Sequence, residues 1–200
     1  MPAPITHIAF SLKLLENRLP RMNRRLFLQG TLFPDIRYLG LLEREDTHLP
    51  LENLSVLAKD EPFTAGMKFH NFIDQLRQQW LAREDVYAAI GPLPYKGLLT
   101  KFYEDYIFYQ HVADWKPLKS SLNRVSSEER RFGIPDSMVM LWHYLLKLYF
   151  RTPPDDTTLL MVCRFLKIPA SETGKLRKTF TELKNNPTIP PKLHDLWQSF

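Results

Sequence analysis

The chain predicts an all-α fold, a single-domain multi-helix bundle, and three observations carry that expectation. Apolar residues recur at helical spacing along most of its length, and no alternating strand pattern of useful length competes. Glycine, at 7 of 200 residues, is too scarce for a many-turned β fold. A hydrophobic content of 44%, with 12% aromatic residues, is enough for 200 residues to bury a sizeable single core.

The first helix is expected at residues 4–18, where Ile5, Ile8, Ala9, Leu12 and Leu15 share a face. A second pattern covers residues 22–30, and Pro34 beyond it biases the chain toward a bend that can present Asp35. The charged run from Glu43 to Asp46 ends at Thr47-His48, which places His48 at the edge of a loop. Helical patterns resume at residues 52–59 and 62–82. Asp60 and Pro62 suit a helix start, because a short carboxylate satisfies free N–H groups and proline wastes none in the first turn. Gly66 inside that helix permits a neighbouring backbone to approach. Patterns at residues 83–90 and 95–113 complete a motif-bearing core at residues 1–114. A polar, Ser-rich stretch at residues 116–131 separates it from a basic helical extension, residues 115–200, expected to pack on the core. Helices are expected there at residues 136–151, opened by Pro135-Asp136, and at 155–167, 170–185 and 190–199. Thr152-Pro153-Pro154-Asp155 and Asn185-Asn186-Pro187 mark the turns between them.

No run of 18 apolar residues occurs, and Lys13, Glu16 and Arg18 interrupt the N-terminal region, so neither a membrane span nor a cleaved signal peptide is expected. A lone Cys163 fits a reducing compartment, and a cytoplasmic location is the expectation. The net charge of +5 is unevenly placed: residues 1–114 hold 13 Lys and Arg against 14 Asp and Glu, and residues 115–200 hold 14 against 8. Basic stretches at Lys175 to Lys178 and at Arg130-Arg131 could steer an anionic membrane surface, a nucleic acid or an acidic partner, or simply form a solvated face. A Gly-rich phosphate loop, Cys-x-x-Cys, Gly-x-Ser-x-Gly and a dinucleotide fingerprint are all missing. The field narrows to a helical metal hydrolase or a helical binding protein.

His70 and Asp74, four residues apart, project from one helix face about one turn apart, close enough to reach a single ion. With His7, Asp35 and His48 they give three imidazoles and two carboxylates, the donor types of a hydrolytic zinc site. Each also has a structural reading: His7 as a hydrogen-bonded core residue, Asp35 as a helix cap, and His70 with Asp74 as a surface pair. In the aromatic-dense residues 101–111, Phe102, Tyr106 and Tyr109 or Phe108 read as core, while Glu104 or Asp105 could face the metal cleft as ligand or base. His111 is a further candidate of that kind. His143, among Met140, Leu141, Trp142 and Tyr144, reads as a core or interface residue, and His194 carries no signal.

The order Thr6-His7, Gly30-x-x-x-Pro34-Asp35, Thr47-His48 and Gly66-x-x-x-His70-x-x-x-Asp74 resembles the zinc-dependent phospholipase C family, whose relatives include the fungal single-strand nucleases. The resemblance implies an all-α fold of that type and phosphodiester hydrolysis by clustered zinc ions. Asp35, His48, His70 and Asp74 would hold one ion, and His7 with a bridging Asp74 would help hold a second. The pattern departs at three places. No His follows Asp74 among Gln78, Gln79 and Trp80, Thr100 stands four residues before Glu104 where the family has His, and Met1-Pro2 replaces a ligating Trp. The resemblance therefore implies one or two zinc ions, with the third subsite lost unless Glu104, Asp105 or His111 rebuilds it. Asp35, Asp74 and Glu104 are the candidate catalytic carboxylates, and the implied substrate is a phospholipid or similar phosphodiester. The alternative is a catalytically degenerate helical scaffold that binds an acidic partner or a membrane surface.

Overall fold

Helix α1 (Pro4–Asn17) opens on a proline, whose missing N–H leaves nothing unsatisfied in the first turn. Helix α2 (Arg24–Leu32) is capped by Asn23, whose side chain accepts a hydrogen bond from the Leu26 N–H. In this computed structural model, which describes residues 3–84, 86, 90, 92–186 and 189–200, α2 runs directly into a 3-10 helix, Phe33–Leu39. Pro34 sits in the first turn of that segment, and Phe33 before it keeps helical dihedrals, so no sharp bend forms there. The buried Phe33 and Ile36 hold the segment against the core. It ends at Gly40, with φ of 74°, where glycine carries no steric penalty.

The charged run folds as a one-turn helix, α3 (Arg44–Thr47), closed by a capping box between Glu43 and Asp46. A second 3-10 helix, Leu54–Lys59, leads to α4 (Pro62–Arg83). Glu61 occupies the N-cap position of α4, and the expected starter Asp60 is engaged instead by Lys68 at 2.9 Å. Helix α5 (Lys96–Phe108) passes into a 3-10 turn, Tyr109–His111. The polar stretch read as a boundary contains two short helices, α6 (Lys116–Ser121) and α7 (Ser127–Arg130), the latter closed by a Ser126–Glu129 capping box. Helices α8 (Asp136–Tyr149), α9 (Asp156–Phe165), α10 (Ala170–Lys184) and α11 (Ile189–Ser199) follow. The expected helix at residues 83–90, and Pro187 of the last turn, lie in part outside the described residues.

The described residues form an all-helical domain with no strand, and none of its helices is long and apolar enough to cross a membrane. One hydrophobic core runs from Ile5 to Leu196, so it spans both halves of the chain. Polar bonds cross as well: Trp142 Nε1 donates to the Leu32 carbonyl at 3.2 Å, and Gln29 Nε2 to the Ser121 carbonyl at 3.0 Å.

The tightest packing joins α2 to α4. A methyl group on Gly30 would lie 2.0 Å from the Phe63 carbonyl oxygen, and one on Gly66 would lie 2.1 Å from the Phe27 carbonyl oxygen. The two glycines are therefore reciprocal: each makes room for the other helix's backbone. Gly30→Ala and Gly66→Ala should each destabilise the protein by about 3 kcal/mol or more, because the obstructing atoms are backbone and cannot rotate away. The midpoint of urea unfolding for each variant reads this directly, and wild-type stability in either would contradict the packing.

Candidate metal centre

Helix α4 supplies the centre of the site. His70 and Asp74 leave the same face of the helix, and their Nε2 and Oδ2 atoms are 3.9 Å apart. The close approach of α2 brings the Thr31 carbonyl within 2.9 Å of His70 Nδ1, which must donate to it. From α1, the His7 ring stacks on the His70 ring with centroids 4.1 Å apart and planes 11° apart. His7 Nδ1 donates to the Ala3 carbonyl at 2.8 Å, one turn earlier in the chain. From the end of α3, the His48 ring meets His70 edge-on at 5.0 Å. Thr47 Oγ1 has one proton, directed at the Pro34 or Arg44 carbonyl, so at 3.0 Å it accepts from His48 Nδ1.

His7 and His70 therefore carry a proton on Nδ1 and present the lone pair of Nε2 inward, as His48 does in the tautomer that donates to Thr47. All three Nε2 atoms are buried and have no hydrogen-bond partner. The 3-10 helix adds Asp35, only 4% exposed, with Oδ2 at 3.6 Å from His70 Nε2, while Asp74 Oδ1 lies 3.5 Å from His7 Nε2. In two overlapping triads, His7/His70/Asp74 and Asp35/His48/His70, the donor atoms all lie within 4.8 Å of one another. Ligands at zinc–nitrogen distance around a tetrahedral ion are about 3.4 Å apart, and the separations of 3.5 and 3.9 Å in the first triad and 3.6 Å in the second lie near that value. The hydrogen bonds from Nδ1 to carbonyl or hydroxyl oxygen are the outer contacts that orient imidazole ligands.

Electrostatics keep the three imidazoles and Asp74 in the form that ligation needs. Burial, the largest influence on all three, lowers His7, His48 and His70 to about 4, so they are neutral at pH 7. Burial opposes the charge on Asp74 too, but His7, His70 and Lys101 together outweigh it and hold the carboxyl below its usual range. Asp35 moves upward through burial and the neighbouring Asp74 charge. At the rim, Arg44 lies near enough to disfavour protonation of His48 and His70. Lys101 Nζ stands 3.8 Å from Asp74 Oδ1.

The other candidates have different partners. Glu104 is fully buried, its Oε2 accepts from Arg77 Nε in an ion pair between α5 and α4, and it belongs to neither donor triad. Asp105 accepts from the Thr6 N–H at 2.7 Å, from Thr6 Oγ1 at 2.8 Å and from the Tyr149 hydroxyl at 2.9 Å. It caps the start of α1, whose own N-cap residue, Ala3, has no side chain for the task. Burial raises Asp105 to about 7 against the pull of the Thr6 bonds. His111 lies against Trp197, with ring centroids 4.4 Å apart, and His143 pairs with Glu129 at 2.7 Å, so neither approaches the centre. The basic stretches are neutralised locally: Arg130 by Asp136, Arg131 by Glu61, Lys175 by Glu172, and Arg177 by Asp156. Lys101 was not among the residues singled out by motif. Its one signal was its place a single turn before Glu104 on a helix expected to face the cleft.

For the metal-free protein a pH dependence follows. The unfolded imidazoles take up protons as pH falls through 6.5, and the folded ones resist until about 4, so stability is lost over that window as pH falls. Asp105 acts in the opposite sense, because its raised value favours the folded state as pH falls from about 7 toward 3.8. Urea midpoints between pH 7 and 4 should therefore decline in the wild type, decline less in His7→Gln, and decline more steeply in Asp105→Asn.

No family model matches the chain, and neither does any curated protein or solved structure, so the site is read from its own geometry.

Proposed function

We propose that this protein is a metal-dependent hydrolase of phosphodiesters, with zinc as the metal and a phospholipid or similar diester as substrate. The observation that carries the reading is the convergence of three neutral, buried, unpartnered imidazole Nε2 atoms with two carboxylates. Leaving such atoms unsatisfied costs about 1–3 kcal/mol each, a cost that a bound cation removes. The reading also agrees with the motif order that resembles zinc-dependent phospholipase C.

Asp35, His48 and His70 would hold the ion, with Asp74 and His7 beside them. A zinc ion so held supplies Lewis acidity toward a phosphoryl oxygen and lowers the pKa of water. The protein's own contribution is positional. The Thr31, Ala3 and Thr47 oxygens fix the ring orientations, and burial keeps the imidazoles unprotonated at neutral pH. Asp74 and Lys101 are partly exposed, at 18% and 22% of their side-chain surface, and form the open edge through which a diester would enter. Arg44 and Lys101 give that edge a positive field suited to an anionic substrate. Glu104 serves as a brace through Arg77.

A second reading, a helical interaction protein, draws on Leu141, Tyr144, Leu148 and Phe165, which are exposed on α8 and α9. The donor cluster favours the enzyme, since an interaction scaffold has no use for unpartnered imidazoles.

Elemental mass spectrometry of protein purified without chelator should find a transition metal that His70→Ala lacks. Wild type should cleave a chromogenic phosphodiester, lose that activity to a chelator and regain it with zinc. Protein that carries no metal and takes none up would overturn the reading.

A further inference from the structure

We propose that the centre takes a single metal ion and that the Lys101 ammonium stands where a second cation would sit, as a fixed anchor for a substrate phosphoryl oxygen. This rests on the metal reading of the site.

The argument begins with His70, the residue both donor triads share. Its Nε2 has one lone pair and can serve one ion. The Asp35/His48/His70 triad supplies three donors, which leaves a fourth position for water or substrate, as catalytic zinc sites do. What remains is His7 Nε2 and Asp74 Oδ1, 3.5 Å apart. Two donors are too few for a stable divalent site, and the place beside them is taken: Lys101 Nζ stands 3.8 Å from the same Asp74 oxygen. A divalent ion on that oxygen would face an ammonium at close range in a partly dehydrated site, where like charges repel strongly.

Lys101 is placed to do more than neutralise Asp74. At 3.8 Å it is beyond hydrogen-bond distance, its side chain is 22% exposed, and no hydrogen bond from Nζ occurs among the described residues. The contrast is one turn further along both helices, where Arg77 and Glu104 form a buried, hydrogen-bonded pair with side chains 7% and 0% exposed. That pair fixes α4 against α5. The Lys101–Asp74 pair, at 3.8 Å, leaves the partly exposed ammonium able to donate to a ligand. Against the Asp35 and Asp74 carboxylates, an ammonium and a divalent ion would leave a net charge of about +1, which suits a phosphoryl group of charge −1. A tetrahedral oxyanion is therefore the ligand class the edge fits.

The experiment uses the full chain stripped of metal by chelator and then titrated with zinc, the bound metal counted by equilibrium dialysis with elemental analysis. Inorganic phosphate is then titrated calorimetrically into the zinc-loaded protein. One equivalent of zinc is expected in wild type and in Lys101→Met. Phosphate affinity should fall at least about tenfold in Lys101→Met and stay within about threefold in Lys101→Arg, which keeps the charge. Lys101→Gln replaces the Met variant if that one does not fold, and the wild-type count requires no variant. Two equivalents of zinc in wild type, or unchanged phosphate affinity without the charge, would overturn this inference and leave the hydrolase reading standing. No zinc binding at all would overturn both.

Discussion

The backbones of α2 and α4 touch at Gly30 and Gly66, and a single methyl group on either would collide with a carbonyl oxygen of the other helix. Everything in the donor cluster is referred to that contact. It sets the Thr31 carbonyl against His70 Nδ1, which fixes the ring's tautomer and direction. It also sets the 3-10 helix after α2, with Asp35, at the right height along α4. His7 and His48 then take their places against the His70 ring, one stacked and one edge-on. A wider helix pair would separate the His70 ring from the Thr31 oxygen that orients it.

Burial does two jobs in this cluster. It keeps three imidazoles neutral at physiological pH, and it withholds water from nitrogen atoms that have no protein partner. An ordinary core would avoid both conditions, since each unsatisfied buried acceptor opposes folding. Local departures from good packing chemistry of this kind concentrate where a protein binds or reacts. The same burial raises Asp35 and would raise Asp74, but Asp74 sits among His7, His70 and Lys101 and remains a carboxylate.

Helix α5 ties the cluster to the rest of the molecule without contributing to the donor set. Glu104 reaches Arg77 on α4, Asp105 reaches Thr6 on α1, and Tyr149 from α8 closes on Asp105. The helices that carry His7 and His70 are thus braced from one side by adjacent carboxylates of a single helix. Replacing a buried ionic brace by apolar residues often leaves stability unchanged, so its value here is better sought in the position of α4 than in overall stability.

The sequence by itself determined the helical class and most helix positions, and it singled out the five residues that gather around His70. Helical periodicity and cap residues are local properties, and His70 with Asp74 follow from a four-residue interval alone. Short helices such as α3, α6 and α7 were not legible as helices. Their capping boxes, or a few contacts to the core, stabilise segments too short to show a period. The roles of Glu104 and Asp105 were not legible either, because a carboxylate's partner is set by which helix packs beside it. Only the tertiary structure paired Glu104 with Arg77, turned Asp105 into the cap of α1 and brought Lys101 to Asp74. Those contacts join residues from 27 to 99 positions apart, or link α5 to α4 without any interval that sequence spacing could encode. The physical reason is simple: one helix's spacing fixes which side chains share its face, and the packing of several helices decides what that face meets.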